Sequence, residues 1–131
     1  HGDIFPDNVF FIENFVSGLI DFYFACNDYY AYELAICINA WCFDSKGTFN
    51  QKKYASMLEG YQSLQNLSSA ELDNLPILLR GAAMRILLTR LHDQLYHPEE
   101  AYVTPKDPME YFAILKFHKA NAVLNKEIHG N

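Results

Sequence analysis

The sequence predicts a single, mainly α-helical domain that opens with a short β-hairpin and continues as four to five helices. Three observations carry this. Two early runs of β-branched and aromatic residues, Val9-Phe10-Phe11-Ile12 and Val16 to Phe22, flank a Glu13-Asn14 turn. Two capping boxes follow much later, Ser68-Ser-Ala-Glu71 and Asp107-Pro-Met-Glu110, each a reciprocal way of satisfying orphan N–H groups where a helix begins. Ahead of them, apolar residues recur at helical spacing, as in Tyr54, Met57, Leu58 and Tyr61. The 131 residues are 50% apolar and 15% aromatic, enough for one domain with a real core and too apolar for a disordered segment.

Taken in order, the hairpin turns at Asn14, a residue type that tolerates the left-handed conformation tight turns need. If the turn centres between Asn14 and Phe15, paired residue numbers sum to about 29 and Asn8 lies opposite Asp21. Asp28 is the expected N-cap of a helix from Tyr29 to about Phe43, apolar nearly all round and therefore buried, with Glu33 its only internal charge. Asp44-Ser-Lys-Gly47 is a loop, and Asn50 caps the next helix. Pro76 is expected to kink or restart the helix opened at Ser68. Ile77 to Tyr96 continues as a long helix stopped by His97-Pro98, and Tyr102 to Lys106 is extended. Pro108 at the first helical position opens a last helix to about Leu124, with a polar tail fraying from Asn125.

Composition narrows the function. There are 10 basic and 16 acidic residues, a net charge of -6, whereas binding nucleic acid through phosphates needs a basic surface. The longest apolar stretch, Ile77 to Leu91, is broken by Arg80, Arg85 and Arg90 and does not suit a membrane span. Cys26, Cys37 and Cys42 are odd in number and lack CxxC spacing, so they read as reduced thiols of a cytoplasmic protein. No basic-then-apolar leader is visible, and the His-Gly-Asp start reads as a piece of a longer protein.

The informative segment is His1-Gly-Asp-Ile-Phe-Pro-Asp-Asn8, followed by Asp21-Phe22-Tyr23. An Asp and an Asn five positions apart, then a second Asp at the end of a strand, is the spacing of a phosphoryl-transfer catalytic loop, H-R-D-x-x-x-x-N and then D-F-G. Gly2 here replaces the Arg, and Tyr23 the final Gly. Such chemistry asks the protein for positioning and charge neutralisation more than covalent work. Asp3, in the loop, would face the attacking hydroxyl and accept its proton. Asn8 and Asp21 would offer Mg2+ the hard oxygen ligands it wants. His1 reads as a packing and hydrogen-bonding residue. Asp and Asn are also ordinary turn formers, and Asp7 reads as one. Asp21 between Ile20 and Phe22 is less easily dismissed, because a buried aspartate without a partner costs several kcal/mol.

HGDIFPDNVFF followed by GLIDFYFACND resembles the catalytic loop and metal-binding segment of the aminoglycoside-phosphotransferase-like kinases, within them the homoserine kinases of the kinase-like type. AYELAICINAWCF, LLRGAAMRILLTRL and VTPKDPMEYF are similar too, so the likeness covers most of the chain. It implies the C-terminal lobe of a protein-kinase-like fold and ATP-dependent phosphorylation of the L-homoserine hydroxyl, a step toward threonine. Asp3 then matches the catalytic aspartate, and Asn8 and Asp21 the magnesium ligands. Glu33 in YELA stands where these kinases carry an Asp that supports the loop from beneath. The nucleotide-covering loop and phosphate-binding Lys of such kinases have no counterpart in this sequence, which implies little activity for this stretch alone. The same likeness leaves choline, aminoglycosides and other hydroxylated amines open as acceptors.

Other candidates are weaker. Arg85, Thr89 and His92 share one helix stripe, and Arg85 could meet a substrate carboxylate, although a structural pairing fits it better. Asp28 could meet an ammonium, and Tyr23, Phe24 and Trp41 could line a pocket, although aromatics at this density are more often core. Arg80 and Arg90 read as surface residues, as do His97 and His118. Adjacent His92 and Asp93 raise a metal-dependent phosphohydrolase as an alternative. A non-catalytic interaction module, self-associating through an exposed cleft face, is a third.

Overall fold

The computed structural model describes residues 1–98 and 102–121. A short 3-10 turn, Pro6–Asn8, leads into β1 (Val9–Ile12) and β2 (Phe15–Leu19), an antiparallel pair, and a second 3-10 turn spans Phe22–Phe24. Four α-helices follow: α1 (Tyr30–Trp41), α2 (Gln51–Gln62), α3 (Ser69–Leu95) and α4 (Pro108–Ala120). The expected class, a hairpin followed by helices, is the class observed. The last helix is described to Ala120, with Asn121 as its C-cap, and Leu124 and the polar tail expected from Asn125 lie outside the described residues.

The hairpin differs from expectation in register. Ile12 pairs with Phe15 and Phe11 with Val16, but Phe10 pairs with Gly18, so Ser17 is an extra residue and the ladder shifts there. The turn centres between Glu13 and Asn14, one residue earlier than expected, and the bulge recovers part of that difference, so Asn8 comes opposite Ile20, whose N–H donates to the Asn8 carbonyl (3.1 Å), and not opposite Asp21. The left-handed turn residue is Glu13 (φ 55°), not Asn14. The return strand also ends at Leu19, because Asp21 takes a left-handed conformation (φ 63°, ψ 62°) that turns the chain out of the ladder.

The core lies among α1, α3 and α4. Ala31, Leu34, Ala35 and Ile38 form the inward face of α1, and Leu75, Leu79, Ala82, Ala83 and Ile86 that of α3. The small residues Ala35, Ala82 and Ala83 are essentially inaccessible, as two helix backbones packed close together require. Tyr111 and Ile114 bring α4 onto the same core, and Tyr54 and Leu58 attach α2 as its periodicity predicts. Helix α3 runs through Pro76 without restarting. An interior proline costs about 3 kcal/mol, and burial of Leu75 and Leu79 on either side offsets this at roughly 1.5–3 kcal/mol each.

The capping box at Ser68 is present with both of its bonds, Asn50 accepts from Lys53 N–H, and Asp107 accepts from Met109 N–H. Asp28 departs from expectation: its carboxylate accepts from the adjacent Tyr29 N–H (2.7 Å), and α1 begins only at Tyr30. Asp44 organises its loop by accepting from Lys46 and Thr48 N–H, bonds that hold its carboxyl below the usual range. Gly47 at the end of that loop has φ 75°, and a Cβ there would sit 2.6 Å from that of Ala113, so glycine lets the loop close onto α4.

Two side chains expected at the surface are buried. His118 is 4% exposed, its Nε2 2.7 Å from Asn39 Oδ1, while Asn39 Nδ2 donates to the Leu79 carbonyl at 2.9 Å. This polar chain joins α4, α1 and α3, and burial pushes the His118 imidazole down to about 4. Arg90 is buried because its guanidinium donates to the Asp107 carbonyl (2.9 Å) and Glu110 (2.8 Å) and lies 4.6 Å over the Tyr111 ring. Helical spacing placed both residues correctly on their helices but could not show which neighbours receive them.

Candidate active site

The loop carrying Asp3 is clasped through its backbone. Glu33, in the first turn of α1, accepts from Gly2 N–H at 2.8 Å. Arg85 of α3 donates to the Gly2 carbonyl, also at 2.8 Å. Trp41, at the far end of α1, donates from its indole to the Ile4 carbonyl at 2.8 Å. The His1 ring lies 2.9 Å from the Ile20 carbonyl through Nε2 and 4.4 Å from the Phe22 ring, tying the loop to the segment around Asp21. Side chains thus fix the residues on either side of Asp3.

Gly2 has φ 78°, and a Cβ at this position would lie 2.9 Å from the Phe24 carbonyl oxygen. An arginine here, as in H-R-D, would be strained and would collide with the segment after Asp21. The Glu33 carboxylate reaches the loop despite its extra methylene.

Asp3, Asn8 and Asp21 line one cavity of about 330 Å³, together with Asp7, Thr89, Arg90, Asp93 and Lys106. Asn8 is almost fully buried, and its amide nitrogen donates to the Asp3 carbonyl (2.9 Å) and carboxylate (3.1 Å). Its amide oxygen is therefore the atom turned away from Asp3. Burial raises the Asp3 carboxyl above its ordinary value and Asp21 adds to the rise, while Arg85, the Asn8 amide and Lys106 oppose it. Left-handed Asp21 stands just past the strand end, where the chain leaves the sheet.

The remaining candidates fall elsewhere. Arg85 and Asp28 line a separate cavity of about 420 Å³ with Glu33 and Tyr61, and the Arg85 guanidinium is already bonded to Gly2. Tyr23 is 86% exposed, its ring edge-on to Phe24. His92 and Asp93 are exposed and 3.6 Å apart, and no group of three or more His, Cys, Asp or Glu converges to hold a metal among the described residues. Burial pushes the Cys37 thiol up to about 12 and that of Cys42 to about 11, far from a nucleophile's range. No helix among the described residues is long and apolar enough to cross a membrane.

Sequence reasoning missed Lys106, which hydrogen-bonds Asp7 at the cavity mouth. No local pattern marks it, because its partner lies about a hundred positions away in the chain.

A family model described as a phosphotransferase enzyme family matches residues 1–67. A protein named homoserine kinase from Parvibaculum lavamentivorans is 57% identical over 122 residues, 93% of this chain and 38% of that protein. Proteins of the same name from Rhizobium johnstonii and Rhodospirillum rubrum are 59% and 58% identical over 91% and 92% of this chain. The chain spans 37–38% of the length of these relatives. With the family model matching just over half of its residues, the chain belongs to the phosphotransferase enzyme family.

Proposed function

We propose that this chain is the catalytic-loop lobe of a cytoplasmic, ATP-dependent homoserine kinase serving threonine synthesis. The observation that carries the reading is the shared cavity of Asp3, Asn8 and Asp21, with the Asn8 amide nitrogen committed to Asp3. Asp3 orients the acceptor hydroxyl and takes its proton. Burial raises the Asp3 carboxyl, which improves its match to that task near neutral pH. Asn8 braces Asp3 through two hydrogen bonds. Its amide oxygen and the Asp21 carboxylate are the hard donors that fit Mg2+, a cation that keeps several waters and needs few protein ligands. Bound there with ATP, magnesium would neutralise charge on the phosphate oxygens. Glu33, Arg85, Trp41 and His1 hold the loop, and the exposed Asp28 and Tyr23 remain candidates for contact with the acceptor.

The test is ADP release by the full-length protein with L-homoserine, choline or an aminoglycoside as acceptor. Release that depends on homoserine is expected. Release driven by choline or an aminoglycoside and indifferent to homoserine would overturn the acceptor assignment. The 131-residue chain alone should release little ADP. Phe10, Ile12, Phe15, Val16 and Tyr23 are each more than half exposed, which supports self-association of the isolated chain through this face.

A further inference from the structure

The cavity that holds Asp3 carries a marked excess of acid: Asp3, Asp7, Asp21 and Asp93 against Arg90 and Lys106. The two cations differ in what holds them. Arg90 is buried, bonded to Asp107 and Glu110 and stacked on Tyr111, so its charge is spent inside the protein. Lys106 is about half exposed and hydrogen-bonded to Asp7, whose carboxylate is more exposed still. An exposed pair of this kind is worth little and exchanges partners readily. The Lys106 ammonium also lies 5.6 Å over the Phe5 ring, directly above the loop, and its field reaches the Asp3 carboxyl. Among the described residues lining the cavity, Lys106 is therefore the one cation free to take a new anionic partner.

We infer that Lys106 leaves Asp7 to bind the carboxylate of the acceptor, and so selects hydroxylated amino acids over plain amino alcohols. The inference rests on the kinase reading above and assigns a specificity residue within it. Space exists for the exchange, because Phe5, Asp7, Arg90 and Lys106 also line a neighbouring cavity of about 410 Å³. The acceptor brings a carboxylate that replaces Asp7 on the lysine. Asp21 and Asp93 keep the walls negative, as an ammonium group favours.

The experiment compares L-homoserine with aminopropanol, which is homoserine without its carboxylate, in the full-length protein. Wild type should prefer homoserine in kcat/KM. Lys106→Gln should raise the homoserine KM by about tenfold or more, the usual worth of a hydrogen bond to a charged group. It should leave the KM values for aminopropanol and ATP within about twofold, and Lys106→Arg should recover part of the loss. Asp7→Asn, by removing the competitor, should lower the homoserine KM. An equal loss for both acceptors, or a shift in the ATP KM instead, would overturn the inference while leaving the kinase reading intact. Failure of wild type to transfer phosphate to either acceptor would defeat the kinase reading itself, and this inference with it.

Discussion

Two polar networks meet helix α1, one facing the loop and one facing the interior, and they serve different purposes. At the loop side, Glu33 and Trp41 join Arg85 in bonding the backbone of Gly2 and Ile4. In the interior, Asn39 links His118 to the Leu79 carbonyl. The loop network places an aspartate in a partly buried position that its ionised form dislikes. The interior network is closed on itself and holds three helices together. One helix therefore carries both the assembly we propose to be functional and a structural one, and the two can be perturbed separately.

The largest expected effect separates them at Asp3. In the full-length protein, Asp3→Asn should cut turnover by about 10²–10⁴, the usual worth of a general base. Its effect on stability should run the other way. The folded carboxyl is raised above its unfolded value, so its stabilising contribution is present below the unfolded value and lost as pH rises through the folded one. At neutral pH the neutral asparagine escapes that loss while still accepting from Asn8. A higher melting temperature with lost turnover is expected, and thermal melting beside ADP release measures both.

The interior network is next. The His118 imidazole falls from 6.5 to about 4 in the fold, so its contribution is fully present above pH 6.5 and drains away as pH falls toward about 4. The loss should reach about 3 kcal/mol across that window, seen by denaturant unfolding at several pH values. His118→Gln, which can still donate to Asn39, should flatten the profile without altering the acceptor preference. The smallest effect is at Trp41→Phe, which keeps an aromatic ring, smaller than the indole, and removes one donor to Ile4. It should cost about 0.5–1.5 kcal/mol of stability, and turnover should fall by a larger factor than that loss of folded protein explains.

How much of this was legible in sequence follows from what each feature depends on. Caps at Asn50, Ser68 and Asp107 are local, because the donor and acceptor lie within three residues, and the structure shows all three. The spacing of Asp3, Asn8 and Asp21 is a motif, and those residues do line one cavity. The hairpin register was misread because the turn is built on Glu13 and not on Asn14, the residue type that favours it, and the bulge at Ser17, which recovers part of the offset, leaves no local signature in an apolar strand. Arg90, His118 and Lys106 were misread or missed because their partners come from other helices or from the far end of the chain. Arg85 illustrates the same limit: its stripe on α3 was visible, but its bond to the Gly2 carbonyl across 83 positions was not.

The central claim is that Asn8 and Asp21 hold one divalent cation beside Asp3. The direct test is the magnesium dependence of phosphoryl transfer by the full-length protein and its Asp21→Asn variant, since asparagine also tolerates the left-handed backbone here. The half-saturating magnesium concentration should rise by at least about tenfold in the variant, as loss of one anionic oxygen ligand implies. An unchanged magnesium requirement would contradict the account.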